Sequence, residues 1–173
     1  MPLSLYAATI PGYLQILNAI VRLLDTAESC CREKQWPPAE LIQARLAADM
    51  NPFAYQVKST AVHSLGAIEG VRRGLFSPDD TTPPASFPAL KARIQETLTA
   101  LQAIDEAEME RFIGRPMRFA FGGRSIDFSA EDFLLSFSQP NFYFHAATAY
   151  DILRWKGVPI GKRDFLGRMR IKR

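Results

Sequence analysis

The sequence predicts an all-α protein, a four-helix bundle with a short β-hairpin before the last helix. Two observations support this prediction. Four long segments repeat apolar residues at the spacing of about 3.6 residues that buries one face of a helix. One shorter segment alternates apolar and polar residues around a Gly-Gly pair. Amphipathic helices of this length bury their apolar faces most economically against each other.

The first three helices follow from apolar spacing and proline positions. The first covers residues 3–32 and either begins or bends at Pro11, because proline removes a helical hydrogen bond. A short helix opening at Pro38 connects it to the second, for which Asn51 is a candidate N-cap and Pro52 the first helical residue. The third, "ALKARIQETLTALQAI", is the most regular and follows a turn-rich linker, "SPDDTTPPASFP".

The hairpin and the last helix are adjacent in the sequence. In "PMRFAFGGRSIDFS" the Gly122-Gly123 pair is typical of a two-residue β-turn. Ser129 can then cap a helix that runs from residue 130 to about 156. Pro140 lies inside this helix, so we expect either a kink there or a helix that restarts with Pro140 in its first turn.

Charged residues are predicted to face solvent. In the second helix, Lys58, Glu69 and Arg73 share a face that we expect to be solvated. The acidic run from Asp105 to Glu110 is expected to be a solvated helix end, because charge clusters usually face water.

Length and composition are those of one globular domain spanning residues 1–173. Hydrophobic residues make up 47% of the chain and charged residues 23%, which excludes wholesale disorder. Twelve phenylalanines indicate either a bulky core or an apolar cavity. The net charge of +3 comes from a basic C-terminal tail, about residues 157–173, which we expect to be solvated. The tail lacks the interleaved aromatic residues that stack on bases, so nucleic acid is not an expected partner.

The cysteines and the apolar runs indicate where in the cell the protein is expected. Cys30 and Cys31 are adjacent and match neither a redox motif nor a zinc site by their spacing. Unspaced thiols favour a reducing compartment. The sequence shows no signal-peptide pattern and no apolar run near the ~20 residues of a membrane span. We therefore expect a cytoplasmic protein with no membrane partner.

The chain has two histidines, and both are predicted on helix faces built from small, uncharged residues. His63 shares its face of the second helix with Gln56, and His145 shares its face of the fourth helix with Asn141 and Thr148. Such faces either let helices approach closely or leave a cavity lined with hydrogen-bonding groups. Two interpretations stay open: both histidines are satisfied in the core, or they form a polar site in which Gln56, Asn141 and Thr148 contact a ligand.

Two segments resemble the DinB/YfiT-like superfamily of four-helix bundles. They are "MNPFAYQVKSTAVH" in the second helix and "PNFYFHAATAYDILRWKGVPIGKRDFLG" in and after the fourth. The resemblance covers essentially the whole chain and is strongest to a bacterial branch known only as a domain of unknown function. It implies a DinB-type bundle, often a homodimer, in a superfamily whose members include thiol-dependent transferases and isomerases.

The resemblance also implies a divalent metal, zinc or nickel, held by one histidine of the second helix and an H-x-x-x-H pair of the fourth. Carried over to this sequence, these ligands fall on His63, His145 and position 149. Position 149 is alanine, which cannot bind a metal. Two imidazoles fall short of the three protein ligands of a catalytic zinc site, and the amides of Gln56 and Asn141 are poor zinc ligands.

The leading hypothesis is a degenerate metal site in which His63 and His145 face each other across a small polar pocket. The pocket would bind a small molecule or a weakly held metal. If the protein is an enzyme, one imidazole acts as a general base while Gln56 and Asn141 orient the substrate. The alternative is a non-enzymatic homodimeric module in which both histidines are structural. The sequence leaves open whether the protein is an enzyme.

Overall fold

Most of the residues that the computed structural model describes, 3–171, lie in helices, and three short strands form one small sheet. The helices are α1 (Leu5–Lys34), α2 (Pro38–Ile42), α3 (Phe53–Ala61), α4 (Ala67–Arg73), α5 (Phe87–Gln102), α6 (Glu106–Glu110), α7 (Ala130–Asp132), α8 (Gln139–Trp155) and α9 (Lys162–Leu166). The strands are β1 (Leu75–Phe76), β2 (Pro116–Phe121) and β3 (Arg124–Ser129). Two stretches of π-helix join α3 to α4 and α7 to α8. We call them the first π segment, Val62–Gly66, and the second π segment, Phe133–Ser138.

Helix α1 runs through Pro11 rather than beginning there. The hydroxyl of Ser4 accepts a hydrogen bond from the main-chain N–H of Ala7 at 3.1 Å and so caps the helix well before the proline. Pro11 lies in the second turn, where it removes a single hydrogen bond from a long helix. The helix ends at Gln35, whose φ of 53° is left-handed.

By length and composition, α1 is also the one helix among residues 3–171 that could cross a membrane, contrary to the expectation from the sequence. Half of the residues in its apolar window are buried inside the protein. Core helices of globular proteins pass the same test, so length and composition are weak support for a membrane span.

The second helical stretch begins without a side-chain cap, so the prediction of Asn51 as its N-cap was wrong. The first helical residue is Phe53, and Pro52 occupies the cap position. The main-chain N–H of Phe53 donates to the carbonyl oxygen of Ala44 at 2.8 Å. Because that carbonyl satisfies a free N–H at the helix start, no capping side chain is needed there.

The sheet has the order β1-β2-β3, with β2 antiparallel to β3 and β1 parallel to β2. Gly122 and Gly123 connect β2 to β3 with φ values of 57° and 76°, and a type I′ turn requires positive φ at both central residues. Strand β1 was not predicted, because its two residues follow α4 directly and pair with a strand far along the chain. This pairing sets Phe76 opposite Phe119.

The last long helical stretch begins at the predicted cap. The hydroxyl of Ser129 accepts a hydrogen bond from the main-chain N–H of Asp132 at 3.3 Å. The chain then forms the second π segment, and Pro140 is the second residue of the following helix, α8. The proline therefore stands where an α-helix starts again, and there its missing N–H costs least.

The core lies between α1, α3, α5 and α8. Helix α3 packs against α5 and α8, and α1 packs against α5, α8 and α9. Five side chains that are at most 1% exposed show where the interior is: Ile10, Leu17, Phe53, Phe87 and Phe142.

The segment after α8 is more than a solvated tail. Val158 and Ile160 are buried, and α9 packs on α1. There the amide of Gln15 donates to the carbonyl oxygen of Leu166 at 2.8 Å. The basic residues 168 and 170 are exposed, as expected of the tail. Residues 172 and 173 also belong to the predicted tail but lie outside the described residues.

Candidate functional site

The two histidines of the chain meet between the second and the last helical stretch. His63 lies in the first π segment and His145 in α8. Their imidazole rings stack with centroids 5.5 Å apart and planes inclined by 18°. The uncharged helix faces on which the sequence placed them are therefore brought together by the packing of α3 and the first π segment on α8.

The two π segments are tied to each other by one hydrogen bond. The hydroxyl of Ser138, the last residue of the second π segment, donates to the main-chain carbonyl oxygen of His63 at 2.9 Å. Hydrogen bonds in a π-helix span five residues instead of four, so a carbonyl near the junction with an α-helix is left for another partner. Ser138 supplies that partner and fixes the position of His63 relative to α8.

Gln56 fixes the tautomer of His145. The Nε2 of Gln56 donates to the main-chain oxygen of Asn51 at 2.9 Å, so its Oε1 faces Nδ1 of His145, at 2.7 Å. A carbonyl oxygen only accepts, so Nδ1 carries the proton of the neutral ring and Nε2 keeps a free lone pair. Gln56 thus acts on His145 and is not part of the cavity wall described below.

Burial keeps both imidazoles uncharged at neutral pH. Desolvation lowers the pKa of each ring from 6.5 to about 4. For His63, the nearby His145 adds a smaller lowering of the pKa, because two adjacent imidazolium charges would repel. A ring with so low a pKa is a weak base at neutral pH, but its nitrogens still form hydrogen bonds.

Within residues 3–171, three of the four imidazole nitrogens have no hydrogen-bond partner. Nδ1 of His63 is buried and has none within residues 3–171. The Nε2 atoms of His63 and His145 make no hydrogen bond to a residue in the described part of the chain either, but they are not fully buried, so a further molecule can reach them. Buried polar groups are nearly always paired in proteins, and an unpaired one costs about 1–3 kcal/mol. Both rings therefore retain hydrogen-bonding capacity for a further molecule.

Both rings line a cavity of about 250 Å³, which we call the histidine cavity. Most of its wall is aromatic or aliphatic and comes from Tyr55, Val62, Phe76, Phe119, Phe121 and Phe137. Its other polar lining residues are Ser59, Asp79 and Asn141. Neither lysine nor arginine contributes to this wall in the described chain.

Of the three residues predicted to contact a ligand, Asn141 lines the histidine cavity, whereas Gln56 and Thr148 do not. The Nδ2 of Asn141 donates to the carbonyl oxygen of Phe137 at 2.7 Å, so its Oδ1 stays free to accept. Thr148 is buried, one helical turn beyond His145. A helical wheel gives the direction of a side chain around the axis but not whether a cavity reaches it.

Lys58 and Asp79 form a charged pair at the edge of the histidine cavity, which was not predicted from the sequence. Lys58 was predicted to be solvated, but it is 3% exposed. Its ammonium lies 3.0 Å from the carboxylate of Asp79 and donates to the carbonyl oxygens of Asp79 and Thr81. Lys58 therefore holds the linker of residues 77–86 against the cavity. The prediction was wrong because this contact joins residues 21 positions apart, beyond the reach of a helical wheel.

The sheet supplies aromatic walls that were also missed. Phe76 belongs to β1, and Phe119 and Phe121 belong to β2. Phe119 packs on Phe137 of the second π segment with ring centroids 4.8 Å apart. The high phenylalanine content was the one available signal, since it indicated a bulky core or an apolar cavity without locating either.

The residues at the site do not fit the metal that the family resemblance implies. The methyl group of Ala149, buried in the core, stands at the position of the third ligand. Among residues 3–171, no group of three or more His, Cys, Asp or Glu side chains is arranged to hold an ion. A catalytic zinc site uses three protein ligands and an open position, and this site offers two imidazoles. We therefore derive no chemistry through a metal.

Comparison with known proteins supports the family resemblance. The structure is similar to the crystal structure of a DinB family member protein from Shewanella denitrificans, with a TM-score of 0.81 and 26% sequence identity over 98% of this chain and 95% of that chain. A comparison with curated proteins found no match. The model of the family described as "Domain of unknown function (DUF1993)" matches residues 5–166. The chain thus belongs to the DUF1993 family and is a DinB-like domain of unknown function.

Proposed function

We propose that the histidine cavity binds a small organic molecule. The observation that carries this proposal is the pair of Nε2 atoms, on His63 and His145, that have no partner in the described part of the chain while their rings line one apolar-walled cavity. Ligand sites are typically apolar with a few polar groups that orient the ligand. At about 250 Å³ the cavity suits a molecule smaller than a drug, for which sites span roughly 300–1,000 Å³.

We infer that the scaffold of this site is a four-helix bundle of the DinB type, with a hairpin before its last helix. Its four members would be α1, the α3–α4 stretch, α5 and the α7–α8 stretch, which pack on one another. The similarity to the DinB family member supports this inference. Such bundles build ligand sites from side chains on facing helices.

Binding is favoured over acid–base catalysis by the chemistry of the two rings. If the protein is an enzyme, His145 is the general base, because Gln56 orients its free lone pair, and Asn141 orients the substrate. A general base works best when its pKa lies near the working pH, whereas burial lowers the pKa of His145 to about 4. Weakly basic rings are better suited to hold a ligand by hydrogen bonds.

Proton NMR tests the proposal, because the chain has two histidines and their imidazole Hε1 signals can be followed individually. We expect uncharged aromatic fragments to shift both signals saturably and to raise the Tm. Ser59→Met fills the histidine cavity and should abolish these effects. Ser136→Met, on the exposed side of the second π segment, is the matched control and should not.

Zn²⁺ and Ni²⁺ form separate arms of the same experiment. With two protein ligands we expect less than ~0.1 equivalents of bound metal and no rise in Tm. Stoichiometric metal bound through His63 and His145 would contradict a purely organic ligand. Fragments that bind the Ser59→Met variant as well as the wild type, or a library that shifts neither signal, would overturn the proposal.

A second candidate function is that of a non-enzymatic homodimeric module. Phe144 and Trp155 lie three turns apart on one face of α8, with exposed fractions of 56% and 61%. Large apolar side chains exposed on one helix face are a feature that protein contact surfaces share. We expect sedimentation velocity to show a dimer that Phe144→Ser combined with Trp155→Ser dissociates. Ile113→Ser is the control, because Ile113 is also a large apolar residue that is 51% exposed and it lies in a turn outside α8. A wild type that stays monomeric at every concentration would eliminate this candidate.

A further inference from the structure

We propose that His63 and His145 present one hydrogen-bond donor and one acceptor side by side, and that the histidine cavity therefore takes an uncharged planar molecule carrying a carbonyl oxygen beside an N–H group. Primary amides and lactams have this pattern on one edge. The inference rests on the proposed function, because it specifies the ligand of the same cavity.

His145 supplies the acceptor. The Oε1 of Gln56 lies 2.7 Å from Nδ1 of His145, and the amide group of Gln56 cannot turn round without losing its bond to the main-chain oxygen of Asn51. Nδ1 must therefore donate, and a neutral imidazole carries a single N–H. The lone pair of Nε2 remains free. Gln56 is in this sense a positioning residue, since it acts on the ligand through His145.

His63 supplies the donor. Its Nδ1 is buried and unpartnered within residues 3–171. A buried N–H without an acceptor is among the rarest defects in proteins, whereas an acceptor that lacks a donor is tolerated more often. The proton is therefore on Nε2, where it can reach a ligand. The two rings are stacked with centroids 5.5 Å apart. Although both are imidazoles, Nε2 of His63 then donates a hydrogen bond and Nε2 of His145 accepts one.

The rest of the wall selects an uncharged ligand. Its cationic neighbour, Lys58, already binds Asp79 and two main-chain oxygens, so a carboxylate ligand would find no free positive charge in the described wall. A cationic ligand would find the carboxylate of Asp79 already paired. Both imidazoles are neutral at neutral pH, since burial lowers their pKa values to about 4.

Shape and a third polar group favour a flat amide. Aromatic side chains such as Phe119 and Phe137 form the wall, and aromatic walls stack on planar molecules. The free Oδ1 of Asn141 offers a second acceptor for the other N–H of a primary amide. The volume of about 250 Å³ admits a single ring that bears such a group.

Four compounds of similar size test the inference on the wild-type protein, with the two histidine Hε1 signals as the readout. They are benzamide, N,N-dimethylbenzamide, benzoate and toluene. We expect benzamide to bind at least about tenfold more tightly than the other three, the ratio that corresponds to one net hydrogen bond. The dimethyl compound is the critical comparison, because it keeps the carbonyl group and the ring but has no N–H.

Two variants assign the preference to the rings. His145→Phe removes the acceptor and His63→Phe removes the donor, while each keeps a planar side chain. In His145→Phe we expect benzamide and its dimethyl analogue to bind within about twofold of each other, because the acceptor for the N–H group is gone. In His63→Phe we expect both compounds to bind more weakly, because each loses the bond to its carbonyl oxygen, while benzamide keeps its advantage because its N–H still reaches His145. The compound series on the wild type stays decisive if either variant fails to fold.

The outcomes separate this inference from the proposed function. Toluene or dimethylbenzamide binding as tightly as benzamide, with both signals shifted, overturns the donor–acceptor pair but leaves a ligand cavity. Preferred binding of benzoate overturns the uncharged ligand. A wild type whose signals respond to none of these compounds, nor to any member of a broader fragment library, overturns both.

Discussion

The carboxamide of Gln56 decides the chemistry of His145. Its nitrogen is bound to the main chain of Asn51, just before α3, and its oxygen accepts the imidazole N–H across the helix contact. The fold, and not the solvent, therefore determines that the free lone pair of His145 is on Nε2. The sequence placed Gln56 beside the histidines but predicted that it contacts the ligand. In the structure Gln56 supports His145 and lies outside the wall of the histidine cavity.

The two histidines should make stability depend on pH between about 6.5 and 4, and above about pH 5 they titrate apart from the carboxylates of the chain. Burial lowers the pKa of each ring to about 4, whereas the rings of the unfolded chain titrate near 6.5. Between these values the unfolded state binds more protons, so the free energy of unfolding falls as the pH falls. We expect a loss of about 2 kcal/mol per histidine between pH 7 and pH 4, measured by urea unfolding.

The double variant His63→Gln and His145→Gln is the comparison for this pH dependence. No other histidine exists in the chain, so its stability should be nearly flat between pH 6.5 and pH 5. Asp79 faces the same cavity, and burial raises its pKa, but hydrogen bonds from Thr81 and Lys58 lower it more, so it titrates below this window. A wild type as flat as the double variant would show that the rings are not desolvated.

At the scale of elements, the linker of residues 77–86 is fastened to α3 by one buried ammonium group. Lys58 reaches the main chain at Asp79 and Thr81 and the carboxylate of Asp79. The linker thereby closes one side of the histidine cavity, although its sequence is turn-rich and has no regular structure of its own. The contacts of the Lys58 side chain thus hold in place a linker that forms no helix or strand.

Lys58→Met should destabilise the protein by about 2–3 kcal/mol, because it keeps the apolar stem but leaves Asp79 and two carbonyl groups without their partner. Urea unfolding measures the loss. Lys91→Met is the matched control, since Lys91 forms ion pairs with Asp25 and Glu28 near the surface, where such pairs contribute up to about 1 kcal/mol. Equal losses in the two variants would show that Lys58 is not a buried anchor.

At the scale of the whole molecule, the sequence predicted what is periodic and local. The helices were found because their apolar stripes repeat along the chain, and the facing of His63 and His145 follows from the faces of small, uncharged residues beside two of those stripes. The family resemblance was found in the same segments and is confirmed. Strand β1, the burial of Lys58 and the aromatic wall from β2 depend on contacts between distant segments, and no short window contains them. Ala149 was identified as a missing ligand because its position is defined by the spacing from His145.

The two π segments have a consequence for how this family can change in length. Each contains one residue more than an α-helix needs to follow the same path. Loss of one residue from 62–66 or 133–138 would restore ordinary α-helical hydrogen bonding and leave the flanking faces where they are. The same deletion elsewhere in these helices would rotate everything beyond it by about 100°. Single-residue gaps among the relatives should therefore concentrate in these two stretches, and a relative without the extra residue at 62–66 should hold the equivalent of His63 at a different height against α8.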